Sequence, residues 1–429
     1  MKNCWKALNE LITSRSIFQE LVTNNLFLTV GQIYQMGLSF LLNILLARQL
    51  GPEMIGIYFA TQAMVGIVYA VARLGVDVPV KREVSRHPNQ VQTYYGSALA
   101  LRLFITGPMT LVVSVLIGEL LGIGTVFVTA LTVLYILVNG VTGLLGAAFQ
   151  AVNRFDLQMR VGIGTHTLYF FMVALSLRAT SSLSQILAVM VVGQSIALLV
   201  HFYVFGKTVQ CLSFSWDVQL WQYLVAEGFP LLLAESTEYV SLRIDNLIVG
   251  TFVGAAGAGI YGSAYNIYMI GVVMLYLPAL AAFPTLARFS FQHEGTEYRK
   301  LVRKLNIVVF LLSMILAASL YFIAPFVVPI VYGPEFKASV SVLQVLVFAL
   351  PFVALGRLTM QALNAANLQK WTFRASLTGA IANIALNLAL VPPFGYIAAA
   401  FTTVFTEAIN WFAGAFGLTK ATSKTHQYG

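Results

Sequence analysis

The stretch VGAAGAGIYG, residues 253–262, carries glycines at 257, 259 and 262 in the spacing G-x-G-x-x-G. That spacing marks a dinucleotide turn only where a strand precedes it and a βαβ unit surrounds it. Residues 50–58 supply a different explanation. They read LGPEMIGIY against VGAAGAGIY at 253–261, so Gly51, Gly56, Ile57 and Tyr58 recur as Gly254, Gly259, Ile260 and Tyr261. Each copy joins two long apolar runs. The glycines therefore read as a tight turn between two membrane helices, made twice, and internal repetition replaces the nucleotide site.

The composition favours the same reading. Of 429 residues, 59% are hydrophobic and 10% charged, where soluble domains average about 45–50% and about 25%. The mean hydropathy is +0.81. So little charge leaves lipid as the natural solvent. Two cysteines, Cys4 and Cys211, cannot build a disulfide framework or a paired zinc site, and the five histidines stand singly. No H-E-x-x-H, G-x-S-x-G or Walker A pattern occurs. No metal or nucleic-acid partner is expected, and the chain offers no good enzyme site.

Apolar stretches place about twelve spans: 26–46, 55–76, 96–117, 124–149, 161–179, 184–206, 226–253, 260–286, 304–332, 338–362, 372–391 and 395–418. Residues 1–25 mix Trp5, Leu8 and Ile12 with Lys2, Lys6 and Arg15, a pattern that suits a short helix on the membrane surface or a disordered tail. With the N-terminus in the cytoplasm, eighteen Lys and Arg residues fall in inside segments, three (Arg48, Arg178 and Lys337) outside, and four within spans. This asymmetry puts both termini inside and accounts for the net charge of +9 without a nucleic-acid surface.

The offset of 203 extends backwards. Gln32 meets Glu235, Gln35 meets Glu238, and Asn43 meets Asn246. A later echo relates Gln150–Asn153 to Asn364–Asn367 at an offset of 214. The expected architecture is all-α: an N-terminal segment 1–25, six-helix bundles at 26–210 and 211–420, and a tail 421–429. With an even number of helices per half, the bundles are parallel repeats, the arrangement of transporters that open to one side at a time.

Ionisable groups within spans mark functional sites unless they pair internally. The seventh span holds Glu227, Glu235, Glu238, Arg243 and Asp245. At about 100° per residue, Glu227, Glu238 and Asp245 share a narrow arc, Glu235 lies about 60° away and Arg243 nearly opposite. Gly228 and Pro230 are expected to loosen the start of this helix. Glu407 lies mid-span in the twelfth helix, and Arg102 and Arg357 in the third and tenth. Arg73 and Asp77, four apart, can pair along one face. The functional reading makes Arg73, Arg102, Gln32, Gln35, Arg243 and Arg357 a substrate cavity, and Glu235, Glu238, Asp245 and Glu407 ion-coupling groups. The alternative is internal ion pairing.

An ordered set of motifs then carries a resemblance: ARQLGPEMIGIYFATQA (47–63), RLGVD (73–77), KREVSR (81–86), LRIDNLIVG (242–250), GIYGSAY (259–265), IVYGPEFKAS (330–339) and IANIALNLALVPPFGYIAAAFTTVFTE (381–407). It resembles the bacterial polysaccharide flippases, of the O-antigen and exopolysaccharide repeat-unit kind, within the multidrug/oligosaccharidyl-lipid/polysaccharide (MOP) exporter superfamily. The resemblance implies a MATE-like fold in the bacterial plasma membrane. Its substrate would be an undecaprenyl-diphosphate-linked oligosaccharide, moved from the cytoplasmic to the outer leaflet. No cofactor is implied beyond Na+ or H+ as coupling ion, and the polymerase machinery is an expected partner. Arg243 and Asp245 sit at the matching seventh-helix motif, with Arg102 and Arg73 corresponding less closely. A drug or cation exporter of the same superfamily is the nearest rival. A membrane-embedded polymerase or ligase fits less well, because the outer loops are short.

Overall fold

A backbone in lipid has no hydrogen-bond partner but itself, so each apolar run closes into helix. The computed structural model describes residues 2–121, 126–179, 182–209, 214–292, 295–366 and 368–424. In chain order its helices are α1 (Lys2–Arg73), α2 (Asp77–Arg86), α3 (Val91–Leu101), α4 (Gly107–Leu121), α5 (Val126–Ala151), α6 (Phe155–Ala179) and α7 (Leu183–Thr208). They continue as α8 (Val218–Phe252), α9 (Ala255–Gln292), α10 (Gly295–Tyr332), α11 (Ser339–Leu346), α12 (Leu350–Ala365), α13 (Gln369–Phe394) and α14 (Tyr396–Lys424). A π-helical turn at Arg102–Thr106 joins α3 to α4. No strand occurs among the described residues. Each of the twelve expected stretches overlaps a described helix, and residues 124 and 125 of the fourth lie outside the described residues. Nine described stretches are long and apolar enough to cross a membrane, and one of them, Leu26–Ala70, holds two of the expected spans.

Two expectations fail for simple reasons. No separate surface helix precedes the first span, because no glycine or proline interrupts the chain before Gly31 and α1 starts at Lys2. Side chains of residues 2–22 lie outside the described residues, as do Cys211 and residues 425–429. Nor does Gly228 loosen α8, which runs unbroken past Pro230. Its missing side chain instead admits the Leu74 carbonyl oxygen, and Gly75 (φ +64) meets the Gly228 carbonyl in return.

The chain divides into two compact units. The first gathers Met1–Asn43, Val68–Glu119 and Gly124–Leu232, and the second Ile44–Ile67, Leu120–Ile123 and Leu233–Gly429. Three segments lie across the expected boundary near residue 210: 44–67, 120–123 and 211–232. The start of α8 stays with the first unit, where Gly228 packs on residues 74–75 and Trp221 Nε1 donates to the Ser97 carbonyl at 3.0 Å. The core of that unit is built around Val76, just before α2, and Val80 and Val84 on α2, packed with Tyr95, Phe149 and Phe205.

Residues 44–67 join the second unit through the repeated glycine turn. Gly51 (φ +71) breaks α1, and Gly254 (φ +97) separates α8 from α9. Only glycine adopts such angles without strain. A methyl group on Gly56 would overlap the Ala255 carbonyl oxygen, and one on Gly259 would overlap the Pro52 carbonyl oxygen. The contact is reciprocal at the offset of 203. Two further positive-φ glycines, Gly333 and Gly395, close later helix pairs at the same end. Arg48 donates to the Val331 carbonyl at 2.7 Å and also to Ile330, while Gly257 lies against Tyr396.

Candidate functional site

In the first unit the buried charges are spent on one another. Asp77 opens α2 and is buried. Arg73 Nε donates to its Oδ2 at 2.6 Å, and Arg102 Nη2 to its Oδ1 at 2.6 Å. Arg102 is also buried and donates to the Gly140 carbonyl. Burial penalises the Asp77 carboxylate, but Arg102 and Arg73 outweigh it and hold its pKa below the ordinary value. Nearby, the exposed Arg82 donates to Glu227 at 2.9 Å, to Glu83 at 3.1 Å and to the Tyr223 hydroxyl at 3.0 Å. Arg73 and Arg102, expected in a cavity, thus belong to a buried ion triad. The internal-pairing alternative describes them.

The second unit treats its charges differently. Asp245 sits on α8 and is 3% exposed. Its partners are three neutral side chains from three other helices. Tyr261 on α9 donates to Oδ2 at 2.9 Å, Thr403 on α14 to Oδ2 at 3.1 Å, and Asn387 on α13 to Oδ1 at 2.8 Å. Each position follows from helix spacing. Asn383 and Asn387 lie four apart on α13, and Tyr261, Tyr265 and Tyr268 line one face of α9. The side-chain carbonyl oxygens of Asn383 and Asn387 are buried without a donor. The carboxylate thus has hydroxyl and amide side chains around it, and carboxylate, amide and hydroxyl oxygens are the hard donors that an alkali or alkaline-earth cation takes. Among the described residues no group of three His, Cys, Asp or Glu could hold a metal ion.

A cavity of about 400 Å³ reaches this point. Asp245, Arg357, Asn383, Thr403, Glu407 and Asn410 line it, with Tyr265 and Phe373 among its aromatic surfaces. Arg357 stacks over the Tyr276 ring, 5.7 Å from the centroid. Of the expected site residues, the structure brings Asp245, Glu407 and Arg357 together here. Arg243 is half-buried and forms no hydrogen bond or ion pair with the described residues. Gln32 is exposed, and Gln35 is half-buried with its amide against Gly162. The side chains of Glu235 and Glu238 lie outside the described residues. Sequence reasoning missed Asn383, Asn387, Thr403 and Asn410. Their signal was present as polar residues at helical spacing within otherwise apolar runs, 383/387 on α13 and 403/407/410 on α14.

Known proteins place this architecture. Residues 21–290 match the family described as polysaccharide biosynthesis protein. A relative from Haloferax volcanii, named a probable low-salt glycan biosynthesis flippase, Agl15, is 24% identical over 420 residues, covering 95% of this chain and 86% of its own length. Another from the same organism, the probable flippase AglR, is 31% identical over 183 residues, 42% of this chain and 38% of its own. Among solved structures, lipid II flippase MurJ in an inward closed conformation superposes with a TM-score of 0.72 at 14% identity, covering 92% of this chain and 87% of that one. An inward-facing multidrug resistance MATE family transporter of the MOP superfamily also gives 0.72 at 14% identity, over 95% and 99%. The chain is thus a multi-pass membrane protein with the MOP-type fold, and it belongs to the polysaccharide biosynthesis protein family.

Proposed function

We propose that this protein is a transporter rather than an enzyme: a flippase that moves a lipid-linked oligosaccharide across the plasma membrane by alternating access. The proposed carrier is undecaprenyl diphosphate, the direction is from the cytoplasmic to the outer leaflet, and the product feeds a surface polysaccharide of the O-antigen kind. The observation that carries this reading is a charged, oxygen-lined cavity inside an apolar helix bundle of this family. The relative named as a glycan biosynthesis flippase, similar along nearly the whole chain, supports the substrate class. The excess of Lys and Arg in alternate loops supports cytoplasmic termini. Polymerase machinery on the far side would receive the product.

Within this reading, Asp245 with Asn383, Asn387 and Thr403 binds the coupling cation, Na+ in preference to H+. The donor-free amide oxygens of Asn383 and Asn387 add oxygen ligands that a metal ion takes and a proton does not need. Arg243 meets the diphosphate or an acidic sugar. The roles proposed for the others stay as expected from the sequence, substrate contact for Gln32 and Gln35 and ion coupling for Glu235 and Glu238. The test is leaflet access of the lipid-linked oligosaccharide in cells depleted of the protein. Precursor trapped in the cytoplasmic leaflet, released by wild-type protein but not by Asp245→Asn, is the expected outcome. Unchanged access in cells with no other flippase would reject it. One observation favours a second reading as a drug or cation exporter: the cavity holds two carboxylates and one guanidinium. Efflux of a cationic dye from depleted cells separates the two.

A further inference from the structure

The cavity that reaches Asp245 is longer than a cation pocket requires. Two of its lining residues, Asp245 and Asn383, are buried. Two others, Gln369 and Phe373 at the start of α13, are exposed. Between them, Thr372, Ser376, Gly379 and Ala380 follow one face of α13. From residue 369 to residue 383 this face rises about 21 Å at 1.5 Å per residue. A volume of about 400 Å³ holds on the order of ten waters or more.

The wall carries cation ligands at stepping distance. Asn410, Glu407 and Thr403 lie three and four residues apart on α14, so their side chains succeed one another along one helix face at about 5–6 Å. The Asn410 side-chain oxygen is without a donor, as is that of Asn383, which is 5% exposed. The charges add to a definite sum. Asp245 and Glu407 contribute two negative charges and Arg357 one positive, leaving a net charge of −1. Arg357 is held to the wall by the Tyr276 ring. One monovalent cation neutralises this lining, and a divalent ion would overcharge it.

We propose that the second unit contains its own conduit for a monovalent metal cation, entering at Gln369 and Phe373, pausing at Glu407 with Asn410, and ending at Asp245. The coupling ion then exchanges through the interior of this unit alone. Glu407 serves the rate of arrival and Asp245 the binding itself. The proposal rests on the cation-coupled reading above.

The experiment uses the full chain, with Cys4 and Cys211 replaced by serine, purified into lipid vesicles. Radioactive Na+ association is followed before and after a neutral maleimide is attached to Ser376→Cys, and separately in Glu407→Gln. Blocking position 376 is expected to abolish the fast association while leaving the final occupancy intact. Glu407→Gln is expected to slow association by about tenfold, the lower end of electrostatic focusing into a cleft, with occupancy at saturating Na+ retained. Fully modified protein that associates as fast as unmodified protein, while Asp245→Asn binds nothing, would overturn the conduit and leave the coupling site standing. Wild-type protein that binds neither Na+ nor K+ would overturn both.

Discussion

Asp77 and Asp245 are both buried carboxylates at helix positions in a membrane protein, and they are answered in opposite ways. Asp77 is held between Arg73 and Arg102, each at 2.6 Å. Asp245 receives a tyrosine, a threonine and an asparagine, all neutral. A carboxylate given a fixed counter-charge is part of the scaffold. One given only dipoles keeps an unneutralised charge, which is costly unless something mobile supplies the cation. The same division extends to the surroundings. The first unit joins α2 to α8 with Arg82, Glu83 and Glu227, while the second closes its turns with glycine backbones and leaves its carboxylates facing a cavity.

The largest effect should come from neutralising the scaffold carboxylate. Asp77→Asn strands buried Arg102 without a counter-charge, a change of about 3–5 kcal/mol against the fold, seen as lost folded yield and a lowered Tm in detergent. Asp245→Asn should fold as well as the wild type and lose only the Na+-dependent rise in Tm. If both variants unfold alike, the contrast between the two carboxylates collapses. The pH dependence sharpens it. Because the folded pKa of Asp77 is depressed, its contribution is present above its unfolded value of about 3.9 and is lost as pH falls through the folded value. Acid melts of the wild type should show this loss, and those of Asp77→Asn should not.

A smaller effect is expected from the glycine contact that organises the second unit. Gly56→Ala and Gly259→Ala should each destabilise by about 1–3 kcal/mol through overpacking. The double variant should lose less than the sum of the two, because both changes strain one contact. Additive losses would show that the two turns are independent. The smallest effect belongs to Arg82→Gln. This side chain is exposed, and surface pairs of its kind contribute little. No resolvable change in Tm is expected, and a large one would make the surface cluster part of the scaffold.

The fold was legible because its determinants are local. An apolar run long enough to cross lipid must be helix, and a glycine with positive φ must be a turn, so Gly51 and Gly254 announced themselves as a repeated pair. The site was legible only in part. Glu407 and Asp245 stand out against apolar neighbours, but which charge is answered by which depends on partners distant in sequence. Arg102 finds Asp77 from 25 residues away, and nothing on its own helix reveals this. Asn383, Asn387 and Thr403 were missed for the converse reason. Uncharged polar residues are common in membrane helices, and only their convergence on Asp245 makes them ligands.

The contact between the two glycine turns has one more property. Gly56 receives the backbone of Ala255 as Gly259 receives that of Pro52, so the same surface appears on both sides of the junction. That is the signature of an isologous interface, the kind through which identical subunits pair about a two-fold axis. A chain of half this length, carrying the turn once, would have the surface needed to dimerise with its own copy. Fusing two such halves would make the pairing intramolecular. Thereafter each half would be free to drift, one toward fixed ion pairs and the other toward an open cavity, without losing its companion.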